Sequence, residues 1–241
     1  MGWKGYFVVH QIGRFCGCDR VGSLSSRLQS CHIKHSGVDA DRKLTRWVKF
    51  QSARTTSRAH PGHKIYPYLL RKLTITRSNQ VWALDTTYIA MERGFVYLTA
   101  VVDVASRKVL AHKVAITLEA CHAKEVIEQA FLRHGTPQIV NTDQGSQFTA
   151  TEFTDVLLAR GCKLSMDGRG AWRDNVFVER FWRSVKYERV YLKAYDSVSA
   201  ARTDIAQYIE GFNVDRPHLS LDDATPDEFY FANLPTMGEA A

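Results

Sequence analysis

The sequence lacks the features that mark secreted and membrane proteins. It has only five cysteines, an odd number, in 241 residues, so a disulfide framework is not expected. No apolar run reaches the ~20 residues that a membrane-spanning helix needs, and the apolar part of the start is too short for a signal peptide. We therefore expect a soluble cytoplasmic protein with no membrane partner.

Acidic residues are scarce in the first third of the chain. Residues 1–80 carry 15 Lys and Arg against 3 Asp and Glu, whereas residues 81–241 carry 17 against 22. The two parts therefore have net charges of +12 and −5. This asymmetry favours a polyanion-binding arm joined to a domain that keeps its own acids around a cation. A solvated basic tail without a partner is the alternative.

The charge and the residue pattern divide the chain into four parts. We predict a divergent basic arm, in part disordered, over residues 1–57 and a basic linker over residues 58–80. A folded core domain with a C-terminal helical extension follows over residues 81–235, and residues 236–241 form a tail. The arm contains a group of potential zinc ligands: Cys16, Cys18, Cys31, His32 and His35. The first two lie too close together for usual zinc-ligand spacing, which disfavours a zinc site.

From residue 81 the pattern alternates between strands and helices. Three strands joined by short turns are predicted over 81–90, 95–104 and 107–115, followed by strands 139–142 and 163–166. Helices are predicted over 117–134, with Thr117 as the N-terminal cap, and over about 149–160, 175–191 and 197–212. This order predicts an α/β protein with a mixed five-stranded sheet flanked by helices.

Three acidic residues stand out within this domain. Asp85 interrupts an apolar strand, a setting that disfavours aspartate. Asp143 directly follows a short buried strand, where ligand sites of α/β sheets gather. Glu179 borders the apolar stripe of a helix, and Arg183 and Lys186 share its face.

Carboxylates that converge repel one another unless a cation neutralises them. Oxygen ligands select hard ions, so the three acids predict an Mg²⁺ site, with Mn²⁺ as a substitute. Two such ions suit phosphodiester displacement, and Lys186 would then contact phosphate. Three unrelated surface acids remain the alternative on spacing alone.

Three segments that contain these acids resemble the catalytic motifs of integrase-core transposases of bacterial insertion sequences, which are relatives of retroviral integrases. The segments are Trp82-Ala83-Leu84-Asp85-Thr86-Thr87-Tyr88, Asn141-Thr142-Asp143-Gln144-Gly145-Ser146-Gln147-Phe148 and the stretch from Asp174 to Glu188. The tail adds Phe212-Asn213, Arg216-Pro217-His218, Ser220-Leu221 and Thr225-Pro226-Asp227-Glu228-Phe229. The resemblance covers about residues 60–235.

The resemblance implies a ribonuclease-H-like fold and DNA strand transfer that depends on two Mg²⁺ ions. Water attacks a phosphodiester at the element's end, and the freed 3′-hydroxyl attacks target DNA. Asp85, Asp143 and Glu179 would be the catalytic metal ligands, and Lys186 matches the family's basic residue seven positions after the glutamate. Asn175 would help to organise the site.

The resemblance also suggests partners and further DNA contacts. The partners are the insertion-sequence ends, target DNA, further copies of the chain and a separate helix-turn-helix protein, all at the bacterial nucleoid. The candidate DNA contacts are Lys186, Asn175, Arg183, Gln144, Gln147, Arg169 and Trp172.

Residues 1–57 depart from the family, whose members carry a helical region there. We interpret them as a divergent or frame-altered prefix, which would attract DNA without recognising the element's ends. Two alternatives to an active transposase follow: a catalytically inactive DNA-binding remnant, and a ribonuclease-H-like nuclease without strand transfer. The C-terminal motifs disfavour the nuclease.

Overall fold

A computed structural model describes residues 64–167 and 176–235, and these residues form a five-stranded sheet with helices on both faces. The strands are β1 Val81–Ala90, β2 Phe95–Asp103, β3 Val109–Ala115, β4 Ile139–Thr142 and β5 Lys163–Met166. The helices are α1 Ala120–His134, α2 Ser146–Thr149, α3 Thr151–Ala159, α4 Val176–Val185, α5 Val198–Val214 and α6 Pro226–Ala232. A π-helical turn, Lys186–Val190, continues α4, and Leu219–Leu221 is a 3₁₀ turn.

The sheet is mixed and has the strand order β3-β2-β1-β4-β5. Strands β1, β2 and β3 pair in antiparallel fashion as a meander, while β4 lies parallel to both β1 and β5. Parallel strands need crossover connections, and α1 and the α2–α3 segment provide them. The carboxyl ends of the central strands β1 and β4 therefore point in the same direction.

Each face of the sheet carries its own hydrophobic core, because successive strand residues point to opposite faces. On one face Val81, Ala83 and Ile89 of β1 pack with α4 and α5. On the other face Trp82 and Leu84 pack with α1, α3 and Tyr230 of α6. The sheet is thus covered on both sides, as the largely apolar strands predict.

Asn213 braces the edge strand β3 at a bulge. The register between β2 and β3 shifts by one residue between Val101 and Val102. Beside this shift, the Asn213 amide donates to the Val109 carbonyl and accepts from the Val109 N–H, both at 2.9 Å. Asn213 is buried, so the tail motif that contains it completes the hydrogen bonds of an edge strand.

The sequence predicted the sheet well and some helix boundaries poorly. Strands 81–90, 139–142 and 163–166 are confirmed, and the predicted five-stranded mixed sheet is confirmed. The prediction for β3 began two residues early, because Arg107 has a φ of 67° and forms part of the preceding turn.

Three helix predictions were wrong in detail. Thr117 is not the N-terminal cap of α1, because α1 begins at Ala120. The Thr117 hydroxyl instead lies 3.0 Å from Nε2 of His122. The helix predicted over about 149–160 runs from Thr151 to Ala159, and the short helix Ser146–Thr149 before it, separated by the extended Ala150, was not predicted. The helix predicted over 175–191 changes from α to π geometry after Val185.

None of the helices in the described parts of the chain is long and apolar enough to cross a membrane. The division at residue 57 and the boundaries of the arm, linker and tail stay predictions.

Candidate active site

Asp85 and Asp143 lie side by side where the parallel pairing of β1 with β4 ends, Asp85 in the middle of β1 and Asp143 just after β4. The parallel register pairs Ala83 with Asn141 and Leu84 with Thr142, so each aspartate is one position beyond the last pair. Neighbouring strands are about 4.8 Å apart and residues two apart share a face. Both carboxylates therefore lie on the face of the sheet that α4 covers.

The carboxylate of Asp85 is held in place by two hydrogen bonds. Its Oδ1 accepts from the N–H of Thr86 at 2.7 Å, and its Oδ2 accepts from the indole Nε1–H of Trp182 at 2.9 Å. Trp182 belongs to α4 and is nearly fully buried. This bond fixes α4 against the strand that carries Asp85.

Helix α4 brings Glu179 to the same region. The predicted apolar stripe is confirmed, because Val178, Phe181, Trp182 and Val185 are all buried. Glu179 itself is exposed, three positions before Trp182, and residues three apart are neighbours on a helix surface. The hydrogen bond from Trp182 to Asp85 therefore brings Glu179 close enough to Asp85 for its charge to raise the pKa of Asp85.

The three acids interact electrostatically. The pKa of Asp85 is raised to about 7, mainly by burial; the hydrogen bonds from Trp182 and Thr86 lower it, and the negative charges of Asp143 and Glu179 raise it. Loss of surrounding water also raises the pKa of Asp143 and that of Glu179. Such a group of acids is stabilised when a cation binds between them.

The donor set fits a hard divalent ion, although the acids do not form a closed metal site. Within residues 64–167 and 176–235 no three His, Cys, Asp or Glu side chains are grouped closely enough to hold a metal ion. The three candidates offer only carboxylate oxygens, which suit Mg²⁺. Each carboxylate oxygen has two lone-pair sites, so the hydrogen bonds to Asp85 leave capacity for a cation.

A tight turn shapes the Asp143 side of the site. Oδ1 of Asp143 accepts from the N–H of Gly145 at 2.8 Å. A Cβ atom on Gly145 would lie 2.8 Å from that oxygen and 2.6 Å from Nε2 of Gln147. Only glycine fits between these two side chains without moving the carboxylate.

Lys186 and Arg183 lie on the face of α4 that carries Glu179. Lys186 is half-buried, burial lowers its pKa, and the negative charge of Asp85 opposes that decrease. Its ammonium group therefore lies close enough to Asp85 to interact with it. Arg183 is exposed, with its guanidinium carbon 5.8 Å from the centre of the Tyr187 ring.

The other predicted DNA contacts are less accessible or lie outside the described residues. The Gln144 amide donates to the carbonyl of Asp167 at 2.9 Å, and Gln147 is only 8% exposed. Both side chains hold the local structure, and a DNA contact by either stays a prediction. Asn175, Arg169 and Trp172 lie outside the described residues.

Sequence reasoning missed the roles of Trp182 and Gly145. Trp182 was assigned only to the buried stripe, yet a buried indole N–H usually needs an acceptor. An acceptor could have been sought among the nearby acids. Gly145 directly follows the Asp143 motif, but the sequence gave no sign of the close approach that requires it.

The pKa of Asp85 predicts how stability depends on pH when no divalent ion is present. Between pH 3.8 and about 7 the folded chain binds a proton at Asp85 that the unfolded chain releases. The free energy of unfolding should therefore fall as pH rises, by at most about 1.4 kcal/mol per pH unit from this group. Urea unfolding of the wild type and Asp85→Asn in chelator measures this fall, which should be smaller in the variant. Equal falls in both proteins would contradict the assignment.

The sheet order and the helices on both faces define a ribonuclease-H-like fold. One chain of the simian T-cell lymphotropic virus intasome in complex with the PP2A regulatory subunit B56 gamma matches this fold. The match has a TM-score of 0.56 and 17% identity, and it covers 82% of this chain and 70% of that chain.

Sequence comparison identifies the family. Integrase core domain models match residues 75–171 and 160–226. The transposase for insertion sequence element IS904 of Lactococcus lactis is 33% identical over 92% of this chain and 83% of its own length. Transposase InsF for insertion sequence IS3A of Escherichia coli is 31% identical over 65% of this chain and 55% of its own. The chain belongs to the integrase-core transposases of insertion sequences.

Proposed function

We propose that this chain cleaves phosphodiester bonds at insertion-sequence ends and joins the freed 3′-hydroxyl to target DNA. The observation that supports this most strongly is the side-by-side position of Asp85 on β1 and Asp143 just after β4, with the charge of Glu179 acting on Asp85. The Trp182 hydrogen bond fixes the helix that carries Glu179 against β1. Membership of the transposase family supports the same reaction.

Asp85, Asp143 and Glu179 would hold two Mg²⁺ ions, which Mn²⁺ can replace. When bound, such ions activate the attacking oxygen and stabilise the leaving oxygen of a phosphodiester displacement. The chain's own contribution is to fix the carboxylates. Thr86 and Trp182 orient Asp85, and the N–H of Gly145 orients Asp143.

Lys186 would attract and position the phosphate that reacts. The Lys186 side chain is half-buried, and its charge interacts with that of Asp85. The ammonium group therefore brings a positive charge to the site. A positive charge there offsets the repulsion between the carboxylates and an incoming phosphate.

We predict that Lys186→Ala weakens binding of an element-end duplex about tenfold, which corresponds to roughly 1.4 kcal/mol. Fluorescence anisotropy of a labelled duplex measures this loss. Lys163→Ala is the matched control, because Lys163 is an exposed lysine at the start of β5, the end of that strand away from the site. Equal affinities of the wild type and Lys186→Ala would show that Lys186 is only a solvated helix residue.

A catalytically inactive DNA-binding remnant is the second candidate function. It is favoured by the basic first 80 residues, which carry 15 Lys and Arg against 3 Asp and Glu. These residues would attract DNA whether or not Asp85, Asp143 and Glu179 catalyse a reaction. A labelled element-end oligonucleotide incubated with target DNA and Mg²⁺ separates the candidates. Joining supports the transposase, cleavage alone a nuclease, and binding alone the remnant.

The partners follow from the same proposal. The substrates are insertion-sequence ends and target DNA, and pairing two ends requires more than one copy of the chain. A separate helix-turn-helix protein would supply the recognition of ends that residues 1–57 do not visibly encode. These partners, and a location at the bacterial nucleoid, are proposals.

A further inference from the structure

A second group of cationic side chains lies on the other side of α4 from Glu179. With 3.6 residues per turn, Phe177, Arg180 and Ser184 occupy a face well away from the one that carries Glu179. There they line a small pocket of about 90 Å³ together with Arg107, His218 and Ser220. The pocket thus combines the β2–β3 turn, helix α4 and the 3₁₀ turn near Leu219.

Arg107 is held rigidly in this pocket. Its backbone has a φ of 67°, an unfavourable value for a bulky residue. Its guanidinium donates to the carbonyl of Val104 and lies 3.4 Å from the centre of the Phe177 ring. Only one of its five N–H donors is used by that hydrogen bond. A residue held in a strained conformation is a reason to look for a function.

The two arginines repel each other and have no acid as an ion-pair partner in the described part of the chain. The pKa of Arg107 is lowered to about 10, mainly by burial and also by the charge of Arg180. The charge of Asp103 raises the pKa of Arg107 and partly offsets these effects, but the Asp103 carboxylate oxygens accept hydrogen bonds from Asn79 and Ser106 rather than from the arginines. Within the described residues the two arginines thus carry more positive charge than Asp103 balances.

His218 adds an unused polar atom. Its Nε2 is buried and has no hydrogen-bond partner among the described residues, which is unusual for a buried polar atom. Burial and the charges of Arg216 and Arg107 lower its pKa, so the ring is neutral near pH 7 and can donate through one nitrogen.

We propose that this pocket, which we call the arginine pocket (Arg107, Arg180, His218 and Ser220), binds a phosphate group of the DNA backbone. The phosphate is one other than the phosphodiester that is cut, because the pocket is on a different face of α4 from the acids. Arginine forks match phosphate oxygens, and the pocket is too small for a base and its sugar. Exposed Arg180 and Ser220 leave it open to a large polymer.

The inference rests on the proposed action on DNA, but its test does not depend on catalysis. Each phosphate that a protein neutralises adds about 0.9 to the slope of log K against log salt for duplex DNA. The full chain and a duplex of arbitrary sequence are sufficient, with chelator present to prevent cleavage. A chain that neither cuts nor joins can therefore still confirm the pocket.

We expect Arg180→Gln to reduce the salt slope by about 0.9 and to weaken duplex binding by about three- to tenfold. Arg180 is exposed, so the variant should fold normally. The control is Arg133→Gln, because Arg133 is an exposed arginine on α1, which packs on the opposite face of the sheet. The control should change neither quantity. Equal losses of duplex affinity in Arg180→Gln and Arg133→Gln would mean that the overall positive charge of the protein attracts DNA rather than the pocket. That result would overturn the proposal.

A double substitution tests whether the arginine pocket acts as one site. Ser220→Asp places an acid beside the arginines and should weaken duplex binding as Arg180→Gln does. Substitutions within one site are not additive. The variant that carries both Arg180→Gln and Ser220→Asp should therefore bind the duplex about as weakly as the single variant with the lower affinity. Additive losses, or unchanged binding by Ser220→Asp, would contradict a shared phosphate.

Discussion

Asp143→Asn should abolish both DNA cleavage and joining while leaving the protein folded. A carboxylate that helps to hold the metal contributes several kcal/mol, so we expect a loss of at least about a thousandfold in rate. The fold should tolerate the change, because an asparagine Oδ1 can still accept from the N–H of Gly145, the bond that Asp143 Oδ1 accepts at 2.8 Å. The labelled-oligonucleotide assay measures both reactions.

Asp155→Asn is the control for this loss. Asp155 is an exposed acid on α3, and its substitution makes the same change in charge outside the site. It should leave cleavage, joining and duplex binding unchanged. Activity retained by Asp143→Asn would refute the metal assignment, whereas reduced unfolding stability of that variant would show that the loss is structural.

Asn213→Ala should give the largest loss of stability among the polar substitutions that the structure suggests. The substitution leaves the N–H and the carbonyl of Val109 buried without their partners. Each unsatisfied buried group costs about 1–3 kcal/mol, so we expect a loss of roughly 2–5 kcal/mol in the free energy of unfolding. Urea unfolding monitored by tryptophan fluorescence measures it.

Asn233→Ala is the matched control. Its amide donates to the carbonyl of Phe229 at 2.8 Å at the end of α6 and is only partly buried, so water can replace the lost bond. Its cost should be about 1 kcal/mol or less. Equal losses in the free energy of unfolding for Asn213→Ala and Asn233→Ala would contradict the conclusion that Asn213 stabilises β3 at its bulge.

Hydrophobic patterning predicted the sheet because its strands are buried on both faces. The apolar runs around Asp85 and before Asp143 end at turn residues, and their order predicts a meander followed by two crossover strands. The fold class and the bounds of three of the five strands could therefore be obtained without the structure, whereas β2 ends one residue earlier and β3 begins two residues later than predicted. Helix starts were less predictable, because the extended Ala150 and the π turn after Val185 depend on tertiary packing.

The sequence predicted the three acids as one group, but it did not predict the residues that hold their side chains in place. Asp85 and Asp143 were conspicuous because each interrupts or ends an apolar strand. The hydrogen bond from Trp182 to Asp85 joins residues 97 positions apart, and no local pattern encodes such a pair. The bracing of β3 by Asn213 spans 104 positions and was hidden for the same reason.

The C-terminal motifs gain a physical explanation from the structure. Thr225 and Glu228 form a capping box that starts α6, with Pro226 in the first turn. The helix places Tyr230 in the core, where its hydroxyl donates to Oδ1 of Asn79 at 2.9 Å. Thr225, Pro226 and Glu228 of the motif therefore start the helix that folds the extension onto the sheet. Within the C-terminal motifs, His218 contributes a buried side-chain nitrogen that has no hydrogen-bond partner in the described residues.

Binding of Mn²⁺ to the full-length chain tests the central claim most directly. Electron paramagnetic resonance detects the loss of free Mn²⁺ signal as the ion binds. The wild type should bind Mn²⁺, Mg²⁺ should displace it, and Asp85→Asn and Asp143→Asn should each bind much more weakly. Binding of equal strength by the wild type and both variants would contradict a metal site formed by these acids.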